Sequence, residues 1–262
     1  MAAPATASAA PGDTALSAYS DQRLDWQPGD EGGPAECADI EVPLDYSRPD
    51  GKKIRIAVSR IKASEPSERQ GVLLMNPGGP GGSGLTLPAM VMKENVIPDS
   101  VSRRFDLIGF DPRGVGRSAP VNCSLTGQEL SLSGPAYQPE TFENDVSRAP
   151  AAGPPGKPAA AYGAIDNFYS AYWSVTCADS DSWPRDPEQY RREAALDKQN
   201  NPLFASSASN TNACAFWPKA TEPTTVVDNT AGALIVNNEW DSQTPLVGAI
   251  RTPGLHGAWR LG

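Results

Sequence analysis

Positive charge, histidine and long apolar runs are all scarce in this 262-residue chain. Lysine and arginine number 22 against 31 acidic residues, a net charge of −9, which argues against nucleic acid and against anionic membranes as partners. No apolar run approaches the ~20 residues needed to span a bilayer. The four cysteines, Cys37, Cys123, Cys177 and Cys214, never adopt the C-x-x-C spacing of a zinc or redox motif. No metal and no organic cofactor is expected, and two disulfides in an oxidising compartment are favoured. The one histidine, His256, reads as an exposed turn residue. Apolar residues make up 39% of the chain beside 24 glycines and 26 prolines. That is loop-rich for a length at which one α/β domain buries roughly 70–75% of its unfolded surface.

What is present concentrates at Val72-Leu73-Leu74-Met75-Asn76-Pro77-Gly78-Gly79-Pro80-Gly81-Gly82-Ser83-Gly84. An apolar run stops in a glycine cluster, the pattern of a buried strand opening into a tight loop before a helix. Glycine lets such a loop take left-handed torsions and offer bare N–H groups to an anion. Residues 79–84 match the dinucleotide pattern G-x-G-x-x-G, and a P-loop is disfavoured because no Gly-Lys-Ser/Thr follows. An oxyanion hole and a purely structural turn are the other readings. The next apolar run, Phe105-Asp106-Leu107-Ile108-Gly109-Phe110, ends in Asp111-Pro112-Arg113-Gly114-Val115-Gly116-Arg117-Ser118. A dinucleotide fold would place a lone carboxylate about 20 residues beyond the glycines. Here the acid opens an Asp-Pro-Arg-Gly turn instead.

These two motifs, in this order, resemble the α/β-hydrolase superfamily. More narrowly they resemble its secreted serine exopeptidases of the tripeptidyl aminopeptidase and proline iminopeptidase type, with a Gly-Gly-Pro-Gly-Gly oxyanion loop and an Asp-x-Arg-Gly-x-Gly-x-Ser turn. Residues 37–46 and 53–61 look like the opening strands, the second with the apolar/polar alternation of a half-buried strand. Residues 233–245 look like the late strand whose end bears the catalytic acid, which the resemblance carries onto Asp241, with Thr244 and Pro245 suited to a helix start. Asp241 also suits a simple turn aspartate. The resemblance puts the oxyanion donor at the Gly79 N–H and substrate contacts at Gly78 and Gly81. The implied fold is α/β, a partial or shortened α/β-hydrolase with a mostly parallel, doubly wound sheet and the remnant of a helical cap.

The same resemblance exposes two gaps. The superfamily's serine stands in a Gly-x-Ser-x-Gly elbow, a strained strand-to-helix turn, and no such pentapeptide occurs here. Ser83 lies inside the loop that should receive the oxyanion, and Ser118 is flanked by Gly116 and Pro120. The base of a Ser-His-Asp mechanism would sit in a Gly-His-Gly type loop beyond another helix and strand, whereas His256 follows Asp241 by fifteen residues. An internal deletion of roughly half the family's length and loss of the last strand are therefore expected.

The organisation read from the chain is a flexible segment at 1–35 and the first half of the hydrolase domain at 36–147. A Pro/Ala/Gly-rich linker follows at 148–161, then cap-remnant helices at 162–218 and the C-terminal part of the domain at 219–262. A helix is expected over 164–175. A second, capped by Asp186 with Pro187 in its first turn, should run to about Gln199. Phe168, Tyr169, Tyr172, Trp173 and Trp217 are read mainly as core, with a pocket lining as the alternative. The small-residue start resembles the tail around a signal cleavage site, so the expected compartment is extracellular. Within the resembled cap, Cys177 with Cys214 is the preferred disulfide and Cys37 with Cys123 the remaining pair. The expected ligand is a peptide with a free N-terminus. The apolar strands 72–74 and 234–236 are expected to pair, which would bring Asp241 near Gly78 and Gly79.

Overall fold

A computed structural model describes residues 13–29, 33–125, 163–179, 181–202, 211, 213–221, 237 and 244. The chain divides into two compact units, Met1–Ala220 and Thr221–Gly262. In the second, the Asn237 side-chain amide donates to the Thr244 carbonyl at 3.1 Å. Asp241, His256, the 148–161 linker and residues 233–236 lie outside the described residues, and with them the expected pairing of 234–236 with 72–74.

The first unit is built on a five-stranded sheet of order β1-β2-β3-β5-β4, with β1 Gln27–Pro28, β2 Glu36–Pro43, β3 Lys53–Ile61, β4 Gly71–Met75 and β5 Phe105–Phe110. β2 and β3 form a long antiparallel ladder from Glu36↔Arg60 to Pro43↔Lys53. Its turn is shaped by the Asp45 carboxylate, which accepts the Ser47 hydroxyl at 2.6 Å, the Ser47 N–H at 2.9 Å and Arg48 Nε at 2.8 Å. These donors, the Ser47 hydroxyl foremost, hold the Asp45 carboxyl at about 2. Opposite charges meet across the strands, Arg60 to Glu36 at 2.8 Å and Lys53 to Glu41 at 2.9 Å.

The expected mostly parallel sheet is corrected here: among the described residues β1, β2, β3 and β5 pair antiparallel, and β4 with β5 is the one parallel pair. The physical reason is connectivity. The opening strands β2 and β3 are joined by the short connection 44–52, which permits antiparallel pairing, and β4 reaches β5 through a helical crossover. That crossover contains α2 Leu87–Lys93 and α3 Asp99–Ser102. Ile61, Met75 and Leu107 form the core beneath it, with Leu73, Leu87, Ala89, Val91 and Ile97 packed around them. Leu73 and Met75 point to this side, whereas Val72 and Leu74 are 57% and 63% exposed. Among the described residues the cover expected on both faces of this strand is thus found on one.

A second correction concerns the start of the chain. Within 1–35, read as flexible, residues 13–29 carry the helix α1 Asp13–Ser20 and strand β1. The Tyr19 hydroxyl donates to the Pro49 carbonyl at 2.6 Å, and the Arg60 guanidinium lies 3.9 Å from the Trp26 ring centroid. Trp26 and Tyr19 anchor this segment across β2 and β3, an effect of two aromatic side chains that small-residue composition conceals.

After the sheet come α4 Gly163–Ala178 and α5 Pro187–Asn200, close to the expected bounds. Asp186 caps α5 by accepting the Glu188 N–H at 3.0 Å. Cys177 and Cys214 form the preferred disulfide, with both side chains fully buried beside Ala213 and Trp217. The other expected pair is not formed: Cys37 and Cys123 stand as two thiols. Cys37 sits in the β2 ladder opposite Ser59, whereas the backbone of Cys123 is held to α4 by Asp166 and Ser170. Burial pushes the Cys123 thiol up, the Ser170 hydrogen bond opposes it, and the neighbouring Asp166 charge adds to the rise.

Candidate active site: the glycine loop

β4 ends at Met75 and the chain enters the glycine loop, with Asn76 Oδ1 accepting the Gly78 N–H at 2.9 Å and the Gly78 carbonyl accepting the Gly82 N–H at 3.3 Å. Gly78 and Gly79 are exposed at the carboxyl end of β4, where α/β sheets place ligands. Among the described residues the Gly79 N–H has no acceptor. Gly81 is buried, with φ of +99°, and a Cβ built on it would stand 2.5 Å from the Phe168 carbonyl oxygen and 3.3 Å from the Tyr172 nitrogen of α4. Of the two residues read as substrate contacts, Gly78 faces outward and Gly81 is turned onto the helix. Only glycine allows that approach.

The far side of the loop is held by Asp111, which is 1% exposed. Its carboxylate accepts the Ser83 hydroxyl at 2.5 Å, the Gly84 N–H at 3.2 Å and the Arg117 N–H at 2.8 Å. Gly116 leaves room for that carboxylate, since a Cβ there would overlap it. The Gly116 N–H and the carbonyls of Gly114 and Val121 are bonded in turn by the Asn167 side chain of α4, at 2.7–2.8 Å. The loop is therefore clamped to α4 twice, directly at Gly81 and through the chain Asn167, Gly116, Asp111, Ser83. Ser59 adds a third tie from β3, its hydroxyl donating to the Leu85 carbonyl at 2.6 Å.

This geometry assigns the serines. Ser118 is fully buried, with its Oγ accepting the Ala57 N–H at 2.8 Å, so it joins the turn to β3. Ser83 gives its proton to a buried carboxylate in the wall of the loop. Asp111, being buried and spent on three donors, does not reach out as a ribose-binding acid would. Sequence reasoning marked the Asp-x-Arg-Gly turn but missed Asp111 as the clamp, and missed Asp166 and Asn167 altogether. A signal existed: Asp and Asn in the first turn of an otherwise apolar helix. Arg113 completes the turn by donating to the carbonyls of Pro43 and Leu44, at 2.9 and 2.6 Å. No group of three or more His, Cys, Asp or Glu able to hold a metal occurs among the described residues.

A strand, a donor-bearing loop at its carboxyl end and a crossover to a parallel neighbour are the parts of an α/β ligand site. Residues 201–257 match the family described as TAP-like protein. Over 91 residues the chain is 52% identical to "Tripeptidyl aminopeptidase" of Streptomyces lividans, covering 34% of this chain and 17% of the relative. It is 46% identical over 96 residues to "Carboxylesterase B" of Mycobacterium tuberculosis, covering 37% and 18%. To "Serine protease Hip1" of Mycobacterium bovis it is 41% identical over 107 residues, covering 38% and 20%. Over these stretches the chain is similar to α/β-hydrolases of the tripeptidyl-peptidase type. The match spans a fifth or less of each of these relatives.

Proposed function

We propose that this chain is a secreted portion of a serine exopeptidase-type hydrolase that holds peptides at the glycine loop and does not itself cleave them. The observation that carries the reading is the Gly79 N–H, open to an acceptor in a loop clamped at Gly81, Ser83 and Gly84. A donor fixed in advance is what stabilises a developing oxyanion, or the carbonyl of a bound peptide, without reorganisation. In an aminopeptidase the attacked carbonyl lies near a free N-terminus. The given sequence has no Gly-x-Ser-x-Gly elbow and one histidine. Ser83 and Ser118 are both committed to structural hydrogen bonds. Loss of nucleophile and base costs on the order of a millionfold in turnover. The net charge of −9 supports a small-peptide ligand over nucleic acid or an anionic membrane, and the buried disulfide supports an extracellular setting.

Incubation of the chain with tripeptide anilides tests this. No chromophore release above buffer is expected. Turnover that stops on stoichiometric addition of a serine-directed phosphonate overturns the reading.

A further inference from the structure

Helix α4 buries several polar side chains and exposes apolar ones. Asp166 at 0%, Ser170 at 1% and Asn167 at 7% exposure are buried beside Ala171 and Cys177, whereas Ile165, Phe168 and Val175 are 55%, 36% and 44% exposed. The orientation is enforced by hydrogen bonds. Asp166 accepts the N–H groups of Cys123 and Ser124 and the Ser170 hydroxyl, and Ser170 Oγ accepts Cys123 N–H. Asn167 binds three backbone groups of the turn. Rotating α4 to hide its apolar residues would strand all of these in the interior, so the exposed stripe is a fixed feature. Ile165, Phe168, half-buried Tyr172 and Val175 are spaced 3, 4 and 3 residues apart and share one face. The helix carries a single charged residue, the buried Asp166.

The stripe borders the loop. Gly81 lies against the backbone of Phe168 and Tyr172, and the Phe168 ring is braced edge-on by the Tyr169 ring at 5.3 Å. Trp173 and Trp217, by contrast, pack into the disulfide cluster. We propose that the exposed stripe of α4, Phe168 foremost, is the apolar wall that receives a hydrophobic side chain of a peptide whose backbone lies along the Gly78–Gly81 loop. This rests on the exopeptidase reading and names its ligand class: short peptides with an apolar residue, in preference to charged ones. An uncharged aromatic wall desolvates a charged side chain without pairing it.

Calorimetric titration of the full chain with the tripeptide amides Ala-Ala-Phe, Ala-Ala-Lys and Ala-Ala-Glu tests the wall. The Phe peptide should bind about tenfold more tightly than the other two. Phe168→Ser should abolish that preference, and Val175→Ser should reduce it, with far-UV circular dichroism unchanged. Equal affinities for the three peptides, no binding of any, or a preference that survives Phe168→Ser would overturn the proposal. So would self-association of the chain that Phe168→Ser dissolves without any peptide binding. The Nα-acetylated Phe peptide separates the two levels. Binding as tight as that of the free amine leaves the wall standing and overturns the exopeptidase reading, and a tenfold loss supports both.

Discussion

In the sheet, Leu107, Ile61 and Met75 are buried while Glu36, Arg60, Lys53 and Glu41 pair at the surface. In α4, Asp166, Asn167 and Ser170 are buried while Ile165, Phe168 and Val175 meet solvent. The two regions answer different demands. Sheet backbone is satisfied by its own ladder, so few side chains there are needed to meet buried backbone groups, Ser59 and Asp106 being the buried polar ones. The irregular stretch from Asp111 to Ser124 has no ladder, and the backbone groups that its own turns leave over are met by side chains. α4 supplies them, and its polar face is consequently the inner one.

The comparison breaks most readily at Asp111. Asp111→Ala leaves the Ser83 hydroxyl and the N–H groups of Gly84 and Arg117 without their acceptor and should cost about 4 kcal/mol in urea unfolding, whereas Asp111→Asn, which keeps one oxygen, should cost less. The disulfide comes next. Replacing Cys177 and Cys214 by serine opens a bridge across a sequence separation of 37 residues and should cost about 3 kcal/mol, read as a lowered melting temperature. Adjacent positions on α4 then give the sharpest contrast. Asn167→Ala should cost about 2 kcal/mol by freeing three backbone groups, against about 0.5 kcal/mol or less for Phe168→Ser. An ordinary amphipathic helix would give the reverse ranking.

A smaller effect belongs to Tyr190 at the start of α5, whose hydroxyl donates to the Pro184 carbonyl at 3.1 Å. Burial pushes its phenol up to about 12, the Glu193 charge adds to the rise, and Arg185 opposes it. The folded chain therefore keeps this proton longer than the unfolded one. Tyr190's contribution is complete below the ordinary value of 10.0 and is lost as pH rises toward about 12. Urea midpoints should fall over that range in the parent and less steeply in Tyr190→Phe.

Legibility in the sequence followed the same divide. The runs 72–76 and 105–110 were readable as strands because short apolar runs ending in glycine or proline suit strands, and Asp186-Pro187-Glu188 was readable as a helix start because capping is local chemistry. The antiparallel character of most of the sheet was not readable from strand composition, since direction is set by connections. The packing of residues 13–29 was hidden for a related reason: Tyr19 and Trp26 act through distant partners, Pro49 and Arg60. At the site, the glycines announced the loop. The residues around it, Asp111, Asn167 and Asp166, serve groups up to 53 positions away in the chain, beyond any local pattern.

The central proposal is that the glycine loop offers a donor to a peptide without a serine, among the described residues, able to attack from it. Intact-mass analysis after exposure to a fluorophosphonate tests that most directly. The account predicts an unmodified mass, with Ser83 and Ser118 unlabelled. A single stoichiometric phosphonyl adduct on any serine, Ser83 above all, would contradict it.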